Sequence, residues 1–219
     1  LVRVITTILF SGVFIFLTSS TIIEDVQTMS LTGLATLAFF YFDFRDTSKQ
    51  DARSLLSSLI IQLSHQSDKF SEVVSAQYSA HGNGSRQPSE DVLMESLKDM
   101  LTLPGQGELY IVVDALDESP NFSGYPKPRE QVLMIIQELV DLRLPHVHFC
   151  ILSRPEVDIR KALEALAVHN VTLHEQAEQN MDISNYIKSV VYSDSKMRRW
   201  REEDKQLVIK TLTENAGGM

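Results

Sequence analysis

The sequence predicts an α/β fold, a mainly parallel sheet sandwiched by helices and followed by the start of a helical segment. Three observations predict it. Short, nearly unbroken apolar runs recur at 36–44, 109–114 and 146–153, the pattern of strands buried on both faces. Between them lie stretches whose apolar residues recur at helical spacing. From residue 176 onward the pattern is helical only. Strands alternating with helices build a parallel sheet covered on both sides, and a purely helical sequel reads as a second unit beginning.

Taken in order, the elements run as follows. Val4 to Ile23 carries no charged residue over 20 positions, long enough to cross a bilayer, although seven of them are Ser or Thr. Three readings of this stretch stay open: a membrane span or signal segment, a buried strand at Gly12-Val-Phe-Ile-Phe-Leu17 leading into a helix, or replaced sequence such as translated pyrimidine-rich DNA. Ser20 to Gln27 reads as helix. Thr36 to Phe44 is an aromatic, buried strand. Asp51 to Gln66 places apolar residues at 52, 55, 56, 59, 60 and 63, one face of a helix. His81-Gly-Asn-Gly-Ser-Arg-Gln-Pro88 is a loop by composition. Ser89 caps the next helix, with Glu90 and Asp91 in its first turn and Val92, Leu93, Leu97 and Met100 inward. A strand follows at Leu109 to Asp114, a Gly- and Pro-bearing loop at Asn121 to Arg129, a helix at Gln131 to Leu142 and a strand at His146 to Ser153. A short helix at Val157 to Leu166, a short strand at Asn170 to His174, and helices at Met181 to Val191 and Glu202 to Asn215 complete the chain.

Composition narrows the function. An apolar fraction of 43% and a charged fraction of 22% describe a chain that can bury a sizeable core. The net charge of −9 argues against a general nucleic-acid surface, which needs clustered cations to neutralise phosphates. The basic run Lys196-Met-Arg-Arg-Trp-Arg201 is followed at once by Glu202-Glu-Asp204 and reads as a solvated helix face with local ion pairs. The single cysteine, Cys150, lies in an apolar run and reads as a small core residue; its solitude fits a reducing, cytoplasmic setting. His146 and His148 share one side of a strand, but no further ligand type stands nearby to complete a metal set.

The chemistry concentrates in Leu109-Tyr-Ile-Val-Val-Asp-Ala-Leu-Asp-Glu-Ser119. An apolar strand ends in Asp114, and Asp117 and Glu118 follow. In an open parallel sheet the carboxyl ends of strands line the ligand crevice. An acid there can hold the water shell of a magnesium ion on a nucleotide, and a second acid can orient or deprotonate a water. The next strand ends in Ser153 and Arg154, which puts a cation on the same edge; an arginine there can contact a terminal phosphate.

With these residues in hand, the chain resembles the NACHT domains of fungal NLR-like (STAND) NTPases, of the nephrocystin-like N-terminal type. The matching residues are Ser20-Thr-Ile-Ile-Glu-Asp25, Leu37-Ala-Phe-Phe-Tyr-Phe-Asp43, Ser54-Leu-Leu-Ser-Ser-Leu-Ile-Ile-Gln-Leu63, Val113-Asp-Ala-Leu-Asp-Glu118, Ile151-Leu-Ser-Arg-Pro155 and Asp182-Ile-Ser-Asn-Tyr-Ile187, in the family's order. The resemblance implies a P-loop NTPase-like sheet, with Asp114 as the Walker B magnesium acid, Asp117 and Glu118 as catalytic acids, and Ser153 and Arg154 on the nucleotide side, Arg154 as sensor. It implies Mg-ATP or Mg-GTP as cofactor, self-oligomerisation gated by nucleotide, and repeat domains downstream in the parent protein. It divides the chain into an apolar non-family segment at 1–18, the NTPase-like core at 19–175 and the start of a helical domain at 176–219. The chain opens on Leu1 and closes on Gly217-Gly-Met219, and is read as a fragment.

The departure from the family is one motif. The phosphate-binding pattern Gly-x-x-x-x-Gly-Lys-Ser/Thr belongs just before Ser19, and those positions read Gly12-Val-Phe-Ile-Phe-Leu-Thr18. No glycine of the chain is followed by lysine. The expectation is therefore a signalling-NTPase fragment with little or no ATP hydrolysis. The alternative is a degenerate, non-catalytic interaction scaffold. A membrane anchor through 4–23 stays open but is not favoured.

Overall fold

The computed structural model describes residues 3–8, 12–122, 124, 126–154, 156–164, 166, 169–172 and 176–216, with the backbone alone for 3–8, 12–19, 169–172, 176–183 and 214–216. The elements are β1 (Arg3–Ile8), α1 (Gly12–Leu31), β2 (Ala35–Tyr41), α2 (Ala52–Ser64), α3 (Asp68–Ala80), α4 (Glu90–Thr102), β3 (Glu108–Asp114), α5 (Pro128–Asp141), β4 (Val147–Ser153), α6 (Val157–Leu163), β5 (His169–Thr172), α7 (Gln176–Ser193) and α8 (Glu202–Ala216). The strands form one five-stranded sheet in the order β2-β3-β4-β1-β5, with every pairing parallel. Parallel neighbours need crossovers, which the intervening helices supply.

Side chains alternate across the sheet with the period of two that a strand imposes. Leu109, Ile111 and Val113 of β3, with Val147, Phe149 and Ile151 of β4, face a large core closed by α2, α4, α5 and α6. Val112, Cys150 and Leu152 face the other way, onto Ile23 and Val26 of α1. The three central apolar runs read as strands for this reason: buried on both faces, they carry no polar alternation.

Local chemistry fixes the helix starts. Asp51 accepts the Ser54 N–H at 2.8 Å to begin α2, and Ser89 accepts the Val92 N–H at 3.3 Å to begin α4. Pro128 opens α5, where its missing N–H costs nothing. The exposed edge of β2 is covered by two glutamines, Gln62 of α2 and Gln66 just past its end. Gln62 accepts from the Phe39 N–H and donates to the Phe39 carbonyl, at 3.0 and 2.7 Å. Gln66 does the same at Leu37, at 3.1 and 2.7 Å. Each primary amide thus stands in for one residue of a neighbouring strand.

Three expectations change. Gly12–Leu17 is not a strand but the opening of α1; the strand beside β4 is Arg3–Ile8 instead. Val4, Ile5, Thr6, Thr7 and Ile8 are consecutive β-branched residues, which favour the extended backbone, whereas the run from Val13 to Leu31 contains neither Pro nor Gly and a helix propagates through it. Residues 68–80, to which the apolar pattern assigns nothing, form α3; of its side chains only Phe70 is buried, so its stripe is too thin to read. The basic run 196–201 is not a helix face. It straddles the connection between α7 and α8, where Asp194 accepts the Lys196 and Met197 N–H groups and turns the chain, although Arg201 does pair with Asp204 at 3.0 Å. Among the described residues no helix is long and apolar enough to cross a membrane.

Candidate functional site

The carboxyl ends of β2, β3 and β4 lie side by side, and a cleft of about 400 Å³ opens above them. β3 delivers Asp114 at its last position, 1% exposed, where one carboxylate oxygen accepts the Ala115 N–H at 2.7 Å. Ala115 is left-handed, with φ 52° and ψ 41°, and swings the chain into a single 3-10 turn over Leu116–Glu118. Leu116 plugs the core with no exposure, which anchors the turn from below.

The two acids of the turn go to different neighbours. Asp117 reaches β4: its Oδ1 accepts the Arg154 N–H at 2.9 Å and the Ser153 hydroxyl at 3.3 Å, and its Oδ2 lies 3.5 Å from Arg154 Nε. Glu118 reaches the loop after β2, where it accepts the Phe44 N–H at 3.2 Å. Ser119, fully buried, donates its hydroxyl to the Gln50 carbonyl at 2.9 Å. The acidic turn therefore stitches together the ends of three strands.

All five residues singled out in the sequence, Asp114, Asp117, Glu118, Ser153 and Arg154, meet at this place. Asp114, Asp117, Glu118 and Arg154 line the cleft, while Ser153 is buried behind it, holding Asp117. The arginine side chain is 55% exposed, against 10% for that of Asp117, so the guanidinium can swing while the carboxylate cannot. Among the further lining residues, Ser20 of α1, Asp43 and Arg45 just past β2, and Lys49 escaped the sequence reading. Asp43 and Arg45 pair at 3.2 Å; the Arg45 backbone N–H and then its guanidinium hold the Asp43 carboxyl below the ordinary range, and the bond to Asp43 raises Arg45. The signal lies in Asp43 and Arg45, an acid and a cation just past β2, which by pattern alone mark no more than the end of a strand.

α1 contributes Ser20 to the cleft. β1 lies between β4 and β5, and α1 begins four residues past its end, at Gly12. Gly12 to Thr18 form the opening turns of that helix, and none of them is a cation. Helix N-termini attract anions through their unpaired N–H groups, but the lysine that would hold a phosphate there is absent. The acids and cations of the cleft fit a metal-bearing phosphate tail; the helix start fits only its backbone contacts.

The remaining candidates are structural. His148 pairs with the Glu108 carboxylate and stacks on Tyr110 at 4.7 Å, while His146 contacts the Leu101 carbonyl at 3.1 Å. No group of three metal-ligating side chains occurs among the described residues. Burial, and secondarily the charge of Asp114, pushes the Cys150 thiol up to about 12, which makes it inert as a nucleophile.

The family model described as "Nephrocystin 3, N-terminal" matches residues 17–154, from the second turn of α1 to the arginine beyond β4. No curated protein matches the chain. The Orc1 protein of Aeropyrum pernix, solved in complex with DNA, superimposes with a TM-score of 0.53 at 13% identity, over 98% of this chain and 60% of that one. The chain thus spans three-fifths of that protein's length. Drosophila ORC bound to AT-rich DNA and Cdc6 gives a TM-score of 0.41 at 10% identity, over 96% of this chain and 69% of that one. At such identities the likeness to Orc1 speaks of fold alone, and the fold is that of an α/β, P-loop NTPase-like domain.

Proposed function

The chain belongs to the nephrocystin 3 N-terminal family, and from that premise we propose that it is the switch domain of a NACHT-type signalling NTPase, reading the phosphate tail of a magnesium nucleotide with little or no hydrolysis. The observation that carries this is one cleft in which Asp114 and Glu118 of the β3 end lie with Arg154 of the β4 end. The cleft is walled by four carboxylates, Asp43, Asp114, Asp117 and Glu118, against three cations, Arg45, Lys49 and Arg154. A bare polyanion gains little in such a balance, whereas a phosphate tail carrying a divalent cation is complementary to it.

In this reading Asp114 holds the metal's water shell. Arg154 answers to the terminal phosphate, and the swing this needs is open to a side chain that is half exposed and tied to Asp117 only by a 3.5 Å ion pair. The metal, Mg²⁺ with ATP or GTP, would supply charge neutralisation at the phosphate oxygens. Glu118 is the catalytic carboxylate of this reading: one oxygen accepts the Phe44 N–H, which orients the group and leaves the other to take a proton from water. Asp117 is committed to Ser153 and Arg154, so its role in the family's chemistry is the weaker of the two. Nucleotide would gate self-oligomerisation in a cytoplasmic receptor of fungal NLR-like type, with repeat domains downstream as partners and, given the net charge of −9, no nucleic acid.

The missing lysine and the commitment of Asp117 favour one second reading, a non-catalytic interaction scaffold that keeps the fold and has lost the nucleotide. Two measurements separate the readings. Phosphate release from ATP and GTP with Mg²⁺ is expected to stay at background; turnover that Glu118→Gln abolishes would overturn the hydrolysis-deficient assignment. Fluorescence of mant-ATP is expected to respond weakly, only with Mg²⁺, and not in Asp114→Asn. Silence in the wild-type chain, with an intact fold by circular dichroism, would leave the scaffold.

A further inference from the structure

Arg129, in the first turn of α5, is a charged residue only 8% exposed, and its environment is unusual. Burying a guanidinium is costly unless its N–H groups are satisfied. Here Nε donates to the Ser119 carbonyl at 2.9 Å and a terminal nitrogen donates to the Asp117 carbonyl. Its other terminal nitrogen lies 3.4 Å from the Asp158 carboxylate on α6. Two arms of the fork thus grip the backbone on either side of Glu118. They hold carbonyls, not the carboxylates of the acidic turn, whose side chains stay directed at the cleft. The third arm reaches α6, the element that follows Arg154 in the chain. Asp158 is in turn held by the Asn121 amide at 2.9 Å, and its side chain is 36% exposed.

We propose that Arg129 is the positioning residue of the acidic turn and that, through Asp158, it couples the placement of Glu118 to the placement of α6. A methionine would fill much of the same volume in the first turn of α5. It would leave the carbonyls of 117 and 119 without their donor, so the turn around Glu118 would keep its N–H bonds to Ala115 and Leu116 but lose the brace on its carbonyl side. A lysine would keep the charge but has no planar fork to span two carbonyls and a carboxylate at once. A shift of α6 therefore reaches the turn through one side chain, without crossing the cleft.

This rests on the reading of the turn as the nucleotide-facing edge, but its test needs no nucleotide. Amide hydrogen exchange is measured residue by residue on the whole chain and on Arg129→Met, Arg129→Lys and Asp158→Asn. The reporters are Glu118 and Ser119, whose N–H groups close the turn onto Ala115 and Leu116 at 2.8 and 3.2 Å, with Val112 of β3 as internal reference. Protection at the reporters is expected to fall about tenfold in Arg129→Met and Arg129→Lys and about threefold in Asp158→Asn, with Val112 unchanged. Full protection in Arg129→Lys would show that charge alone suffices and would overturn the proposal. So would an Asp158→Asn chain whose reporters do not move, or move only in step with Val112, which would make the network purely structural. If Arg129→Met does not fold, Asp158→Asn decides, because its side chain is partly exposed. A chain silent toward mant-ATP that still shows the expected exchange pattern loses the nucleotide reading and keeps the positioning one; the converse pattern loses the positioning alone.

Discussion

Ala115 holds a φ of 52° without being glycine, in the one peptide that joins Asp114 to the acidic turn. A left-handed non-glycine residue costs roughly 1–2 kcal/mol, and such strain gathers where backbone direction matters more than comfort. Here the reversal drops Leu116 into the core and sends Asp117 and Glu118 to opposite neighbours. Glycine would relieve the strain but add unfolded-state entropy and lose a methyl packed against the core, so Ala115→Gly is expected to gain no more than about 1 kcal/mol, read from the urea midpoint. A clear loss instead would mean that the methyl contact outweighs the strain. The acids were legible as residues because three of them follow an apolar strand. Their division of labour was not, because it depends on which strand end lies within reach of each carboxylate.

Among the elements, β2 and α2 make the plainest case. β2 is an apolar edge strand, the kind of edge that can recruit another chain. Gln62 on α2 and Gln66 just past its end stand four residues apart and meet alternate residues of β2. Replacing both by alanine removes four hydrogen bonds at the strand edge. The double variant is expected to lose about 2–4 kcal/mol and to raise light scattering at concentrations where the parent stays clear. Unchanged stability and scattering would mean that water covers the edge equally well. The spacing 62–66 was visible as sequence, but nothing in it said that a strand edge lay opposite. The same holds for α3, whose sparse apolar stripe acquires meaning only when α2 and α4 provide its neighbours.

Over the whole molecule, β1 decides whether the sheet is continuous. It pairs with β4 from Arg3 to Ile8 and with β5 from Ile5 to Ile8, and among the described residues no other strand joins those two. A chain lacking residues 1–11 would bare the edge of β4, and its thermal midpoint is expected to fall by roughly 10 °C or more with a broader transition. A sharp transition at the parent's temperature would show that β4 tolerates an open edge. The family's pattern starts only at residue 17, yet the sheet recruits residues before it, because a parallel sheet tests a segment for β-branched extended chain and not for motif.

The sequence by itself determined the α/β class, the strands β2, β3 and β4 and the acid-bearing strand end. Each of these is a local matter of apolar period and strand-end chemistry, written within a dozen residues. It also determined that no lysine follows a glycine, and so that the phosphate loop is lacking. Tertiary structure decided that Arg3–Ile8 is the strand and Gly12–Leu17 the helix start: either stretch is apolar enough to be buried, and pairing with β4 and β5 selects the β-branched one. It alone brought Arg45 and Lys49 to the cleft and placed Arg129 behind the acidic turn. Those contacts join residues that are distant in the chain, and no spacing rule encodes them.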